Sequence, residues 1–160
     1  MSNEKSKWNN TDTKLKIGID LDDTLFIVLC QEIIDSYNDK YNKVMHLDDI
    51  VEYNMKWIPE LMEEYHNFEM EHKLDMDIHP GWRSTLKNLK QLGHSFYIIT
   101  SRPPDQRASS EVLLASYFWE NFFEEIIFIH ESWEDLKYKA ANKYNLDIVI
   151  EQLSDNNLSV

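Results

Sequence analysis

The sequence predicts an α/β fold: a three-layer sandwich built on a parallel sheet of about four strands, with a small helical cap inserted after strand one. Two observations carry this expectation. Beyond residue 80 the elements run helix, strand, helix, strand, helix, strand. Together with one strand near the start, that alternation implies a parallel sheet covered by helices on both faces, a Rossmann-like arrangement. The second observation is a block of helical patterning from Leu25 to Asp77 that interrupts the alternation. It is too long for a crossover and too structured for a loop. It reads as an insertion over the carboxyl ends of the strands, where open α/β sheets bind ligands. The expected layout is a disordered leader over 1–13, a core from 14–24 and 78–160, and a helical cap over 25–77.

Lys14 to Leu21 is the first expected strand, with Leu15, Ile17 and Ile19 at alternate positions. Phe26 to Tyr41, Leu47 to Tyr53 and Pro59 to His72 read as three helices of the insertion. Pro59 suits a first helical turn, and Leu61, Met62, Tyr65 and Phe68 form an apolar stripe. His79-Pro80-Gly81 breaks the pattern. Trp82 to Leu92 is a helix closed by Gly93, and Ser95 to Thr100 is a continuous apolar run of strand length. Gln106 to Asn121 reads as a helix, Glu125 to Ile129 as a strand, Glu134 to Tyr144 as a helix and Asp147 to Ile150 as a short strand.

A chain of 160 residues suits one domain with a real core. Its net charge of −13 argues against a nucleic-acid polymer or an anionic membrane as partner, because both are bound largely through cations. A small phosphorylated metabolite is compatible, since one or two local cations can reverse the field. The lone Cys30 cannot form an internal disulfide and fits a reducing compartment. With no apolar leader and no run long enough to span a bilayer, a cytoplasmic protein is the expectation. The oligomeric state is left open.

The most informative stretch is Asp20-Leu21-Asp22-Asp23-Thr24, at the end of the first strand. A strand that stops on clustered carboxylates sets like charges at the edge of a core, where repulsion and desolvation are both costly. A bound cation together with a substrate is the usual compensation. Two aspartates two residues apart can also divide the chemistry, one as nucleophile and the other as proton carrier.

Ile17 to Leu25 resembles the first motif, Asp-x-Asp-x-Thr, of the haloacid dehalogenase-like phosphohydrolase superfamily. The resemblance implies that Asp20 attacks phosphorus, that Asp22 is general acid and base, and that Mg2+ is the cofactor. An acid at position 22 points to a phosphatase or phosphomutase, because phosphoester cleavage needs a protonated leaving oxygen.

Tyr97 to Pro103 resembles the second motif, a strand ending in Thr or Ser. Thr100, and secondarily Ser101, would hydrogen-bond the phosphoryl group. Arg102 either contacts substrate or caps the turn. The third motif requires a lysine. Lys137 is the choice because it opens its helix and lies 14 residues before Glu151, a spacing familiar among related phosphatases; Lys139 competes. In the fourth motif the family expects two adjacent acids, or two acids four apart. Gln152 breaks the adjacent form, whereas Glu151 and Asp155 satisfy the spaced one. The metal set implied by the resemblance is therefore Asp20, Asp22, Glu151 and Asp155. The neutral Gln152 also leaves open a relative that binds phosphate or nucleotide without hydrolysing it.

Within the superfamily, the short insertion and Ile-Ile-Thr-Ser-Arg-Pro look most like the 5′(3′)-deoxyribonucleotidase branch, which implies a nucleoside monophosphate as substrate. A base needs aromatic faces for stacking. Tyr53, Trp57, Tyr65 and Phe68 could provide them, with Trp57 preferred.

Overall fold

The computed structural model describes residues 13–50, 57–129 and 134–151. Four strands, β1 (Lys16–Asp20), β2 (Ser95–Thr100), β3 (Phe123–Phe128) and β4 (Ile148–Ile150), pair in parallel in the order β3-β2-β1-β4. The chain therefore steps outward from β1 through β2 to β3, then crosses back to lay β4 on the other side of β1. That reversal makes the carboxyl edge beside β1 the crevice where such sheets take ligands.

Helices α3 (Trp82–Gln91), α4 (Arg107–Ala115) and α5 (Glu134–Lys143) make the connections. Right-handed crossovers that run in opposite directions along a sheet place their helices on opposite faces. The packing agrees. Leu86 of α3 and Leu113 of α4 share one core with Ile17, Ile19, Phe96 and Ile98. Ile99 and Ile127 point the other way and pack with Ala140, Tyr144 and Leu146, on the side of α5. Alternation along β2 thus feeds two different cores. Gly18 is where the second layer comes closest to β1. A Cβ there would lie 2.8 Å from Leu146 Cδ1 and 3.0 Å from Ile99 Cδ1.

Between β1 and α3 lie α1 (Gln31–Tyr41) and α2 (Pro59–Glu71). Ile33, Ile34 and Tyr37 of α1 and Leu61 and Tyr65 of α2 belong to the same core as the sheet face under α3 and α4. The two helices are also tied by the buried Glu64, which accepts from Ser36 Oγ at 2.9 Å and Lys40 Nζ at 3.0 Å. No helix among the described residues is long and apolar enough to cross a membrane.

Several boundaries differ from expectation. The helix expected from Phe26 begins only at Gln31. The amides that would open it are used elsewhere: Ile27 N donates to Asp77 O, while Val28 N and Leu29 N both donate to Asp23 Oδ1. Of the helix expected over 47–53, the described part is a single 3-10 turn at Leu47–Asp49, with Ile50 already extended. Residues 51–53 lie outside the described residues, as do 1–12 of the expected leader. The helix expected to run to Asn121 stops at Ala115. After it, Phe118 and Phe122 turn inward and pack tilted at 4.6 Å between ring centroids, and Asn121 adopts a left-handed turn. Burial of that aromatic cluster outweighs continuation of the helix.

Ile19 is fully buried in the middle of the sheet, one residue before Asp20. Ile19→Ala should cost about 2–5 kcal/mol of stability. Urea denaturation checks this; a loss below about 1 kcal/mol would mean that the core beneath the strand end is loosely packed.

Candidate active site

Register alone assembles the first elements of the site. β1 pairs Ile19 with Ile150 of β4, so the residues that follow, Asp20 and Glu151, emerge side by side. On the other flank Asp20 pairs with Ile99, which brings Thr100 to the same edge. Lys137, at the start of α5, closes the group: its Nζ lies 3.2 Å from Asp20 Oδ2 and 3.1 Å from Glu151 Oε2.

Beyond Asp20 the chain folds into a tight turn. Leu25 N and Phe26 N both donate to Leu21 O, and Asp23 takes a left-handed φ of 58°. Aspartate tolerates that conformation better than most residues. The turn points Asp22 toward β2, where Arg102 grips it in a two-pronged pair. Nε donates to Oδ2 at 2.9 Å and Nη2 to Oδ1 at 2.7 Å. Asp23 takes a structural position instead: Oδ1 caps Val28 and Leu29, and Oδ2 accepts from Tyr65 Oη at 2.8 Å. Thr24 Oγ1 is buried without a hydrogen-bond partner among the described residues.

Burial is the largest influence on Asp20 and pushes its carboxyl up to about 6; Lys137 pulls it back and Asp22 pushes it further up. Burial opposes the charge of Lys137, yet Asp20 and Glu151 outweigh it and hold the ammonium above its ordinary value. The site is thus a cluster of negative charge held together by one cation on each flank, with Asp20 incompletely compensated.

The insertion adds a third wall. Glu69 of α2 reaches the Asp22 side of the site, where burial first, and then the charge of Asp22, raise its carboxyl well above the ordinary value. Its side chain is only 12% exposed, and it lies 3.3 Å from His66 Nδ1. Met70 Sδ meets Gln106 Nε2 at 3.6 Å, bringing α2 against the loop that follows β2.

No protein-family model and no curated protein sequence matches this chain. Solved structures do. A haloacid dehalogenase-like family hydrolase from Streptococcus pneumoniae superposes with a TM-score of 0.58 at 14% identity, covering 91% of this chain and 79% of that one. A predicted phosphatase from Clostridium acetobutylicum gives 0.57 at 17% identity, over 86% and 74% of the two chains. A predicted phosphoglycolate phosphatase from Haemophilus somnus gives 0.51 at 18%, over 84% and 75%. The chain has a haloacid dehalogenase-like fold.

On that fold, Asp20, Asp22, Thr100, Lys137 and Glu151 gather at the carboxyl edge of the sheet, whereas Lys139 is exposed. Ser101 follows directly and is half-buried. Gln152 and Asp155 lie outside the described residues. Arg102 departs from the expectation of a substrate contact. Its side chain is 2% exposed and its donors face Asp22, Ser110 and Met76, so burial and prior hydrogen bonding withdraw it from solvent. Among the aromatics proposed for stacking, Tyr65 is buried on Asp23 and Phe68 packs on His72 at 4.4 Å. Trp57 is 77% exposed, and Tyr53 is outside the described residues.

Glu69 escaped the sequence reading, although a signal existed. It stands four residues beyond Tyr65 and eight beyond Leu61, so it prolongs the buried stripe of α2 with a charge. The Ser110 contact with Arg102 carries no comparable signal, because it depends on how α4 packs behind β2.

Mg2+ fits the chemistry of the donor set. Asp20 and Glu151 present hard carboxylate oxygens side by side, and burial leaves Asp20 short of positive charge. Among the described residues, no group of three or more His, Cys, Asp or Glu side chains is preassembled as a metal site. Here Lys137 spans the two acids.

The raised carboxyl of Asp20 has a consequence for stability. A folded pKa above the unfolded one favours folding below the unfolded pKa, and that advantage is lost as pH rises through the folded value near 6. In metal-free protein, Asp20→Asn should therefore melt above wild type at pH 8, by up to about 3 kcal/mol in stability. The gap should narrow as pH falls and close below the unfolded value of 3.8. Thermal melts across this range test it, and a gap independent of pH would contradict the buried, undercompensated carboxylate.

Proposed function

We propose that the protein is a Mg2+-dependent phosphomonoesterase that works through an aspartyl-phosphate, with nucleoside monophosphates as its substrate class. The observation that carries the proposal is the placement of Asp20 and Asp22 on one turn, each with its own cation. Lys137 sits on Asp20 and Arg102 on Asp22. Two neighbouring carboxylates held in different environments are suited to different roles.

In the proposed reaction an Asp20 oxygen forms a bond to phosphorus as the bond from phosphorus to the leaving oxygen breaks. Asp22, which takes up a proton before this step, passes it to that oxygen, so an alcohol departs rather than an alkoxide. Asp22, now ionised, takes a proton from water as the water attacks the acyl-phosphate, which regenerates Asp20 and releases phosphate. Lys137 would hold phosphoryl oxygens once substrate draws it from its bridge. Thr100 would hold another: Oγ1 accepts the Arg102 amide at 3.1 Å, which leaves the hydroxyl hydrogen free to donate. Asp20, Glu151 and the main-chain carbonyl of Asp22 would hold Mg2+, with Asp155 as a further proposed ligand. The bound ion would offset the negative charge of the phosphoryl group.

Similarity to a predicted phosphatase and to a predicted phosphoglycolate phosphatase supports phosphoester chemistry for this site. The nucleotide preference rests on the motif resemblance and, within the described part of the insertion, on the exposed face of Trp57. Release of phosphate from a panel of nucleoside monophosphates, sugar phosphates and phosphoglycolate, with and without Mg2+, tests substrate class and cofactor together. The expected outcome is Mg2+-dependent turnover with nucleotides preferred. A best substrate without a base would remove the nucleotidase assignment, and no turnover on any substrate would favour a binding protein.

Asp20→Asn should abolish turnover while the protein stays folded. Asp22→Asn should lower the rate by about 10²–10⁴, the usual share of acid–base catalysis, while binding of inorganic phosphate persists. Wild-type turnover in Asp20→Asn would dismiss the nucleophile.

A further inference from the structure

We infer that Arg102 is a positioning residue for Asp22: its buried fork, braced by Ser110 and Met76, fixes the plane of the Asp22 carboxyl toward the leaving oxygen. The inference rests on the proposed acid role of Asp22 and adds a component that the motif resemblance leaves open.

Four of the five N–H donors of a guanidinium have partners here. Nε and one Nη2 hydrogen reach the two oxygens of Asp22, the other Nη2 hydrogen faces Met76 Sδ at 3.3 Å, and Nη1 donates to Ser110 Oγ at 3.0 Å. Ser110 is fully buried. Met76 is itself held, because Tyr117 Oη donates to its carbonyl at 2.8 Å. The main chain at Arg102 is anchored as well, through its amide on Thr100 Oγ1. The guanidinium is therefore fixed from α4, from β2 and from the end of the insertion at once.

A fork fixed in this way fixes whatever carboxylate it holds. A two-pronged pair sets both the distance and the plane of the acid, which a lysine cannot do with a single point charge. It occupies only two of the roughly four lone-pair sites of a carboxylate. Glu69 reaches a third from α2, and the site that remains is where a proton can bridge to the leaving oxygen. Free rotation of the Asp22 side chain on its turn would otherwise spread that proton over several directions. Proton transfer needs hydrogen-bond geometry, so an acid held in one orientation is worth more than one that samples many.

A substrate-binding arginine and an acid-positioning arginine predict different kinetics. Phenyl phosphate and 4-nitrophenyl phosphate have leaving groups of nearly the same shape, but only the poorer one, phenoxide, depends strongly on a proton. Arg102→Lys should therefore lower kcat for phenyl phosphate at least about ten-fold more than for 4-nitrophenyl phosphate, with KM for both within about two-fold. Ser110→Ala, which removes only the brace, should shift the same ratio in the same direction by a smaller factor. It also provides the test if Arg102→Lys does not fold. In an Asp22→Asn background, adding Arg102→Lys should leave the ratio unchanged, because there is no acid left to orient.

An equal loss on both substrates with a raised KM would overturn the inference and return Arg102 to phosphate binding. An equal loss with KM unchanged would reduce it to a structural arginine. If Asp22→Asn itself affects both substrates alike, the acid role of Asp22 falls, and the positioning role falls with it. A failure confined to Arg102→Lys and Ser110→Ala overturns Arg102 alone.

Discussion

The repulsion among carboxylates at the end of β1 is the constraint on which the site depends. Asp20, Asp22 and Asp23 fall within four consecutive residues at the edge of a packed core, and Glu151 joins them from the neighbouring strand. Such a cluster survives folding only if each charge is separately answered. Asp20 and Glu151 share Lys137, Asp22 has Arg102, and Asp23 is answered by two amides and a tyrosine hydroxyl. The side-chain partners come from α5, from the loop after β2 and from α2, so the cluster ties together distant parts of the chain.

Compensation is deliberately uneven in its effect. Asp23 accepts three hydrogen bonds and Asp22 a two-pronged ion pair, whereas Asp20 accepts one amide and half of a shared lysine. Burial then outweighs Lys137 at Asp20 and leaves it with a call for further positive charge. A cation or a phosphoryl group that brings its own cation would relieve that imbalance. Stability lost at such a residue is a common companion of function, since the group must stay reactive in the absence of its ligand.

The helical insertion is not an appendage to this arrangement. Tyr65 and Glu69 stand one helical turn apart on α2, and both reach the turn after β1. Glu64, one residue before Tyr65, locks α2 to α1 through Ser36 and Lys40. One short helix therefore both braces the insertion and walls the site, and motion of α2 would alter both together.

The sequence alone determined the alternation of helices and strands, the parallel sheet and the acidic cluster after β1. Those features are local: they depend on periodicity, on turn residues and on the spacing of side chains along the chain. Lys137 was singled out by resemblance, through the 14-residue spacing to Glu151 familiar among related phosphatases and its place at the start of its helix. Tertiary structure alone decided the partners. Arg102 read equally well as a substrate contact or a turn cap, and only the packing of α4 and the return of the chain at Met76 buried it against Asp22. The late start of α1 at Gln31 has the same origin, since Asp23 and Asp77 take its first amides through long-range and turn hydrogen bonds. A residue's neighbours across the fold are set by how layers stack, and no periodicity along the chain records that.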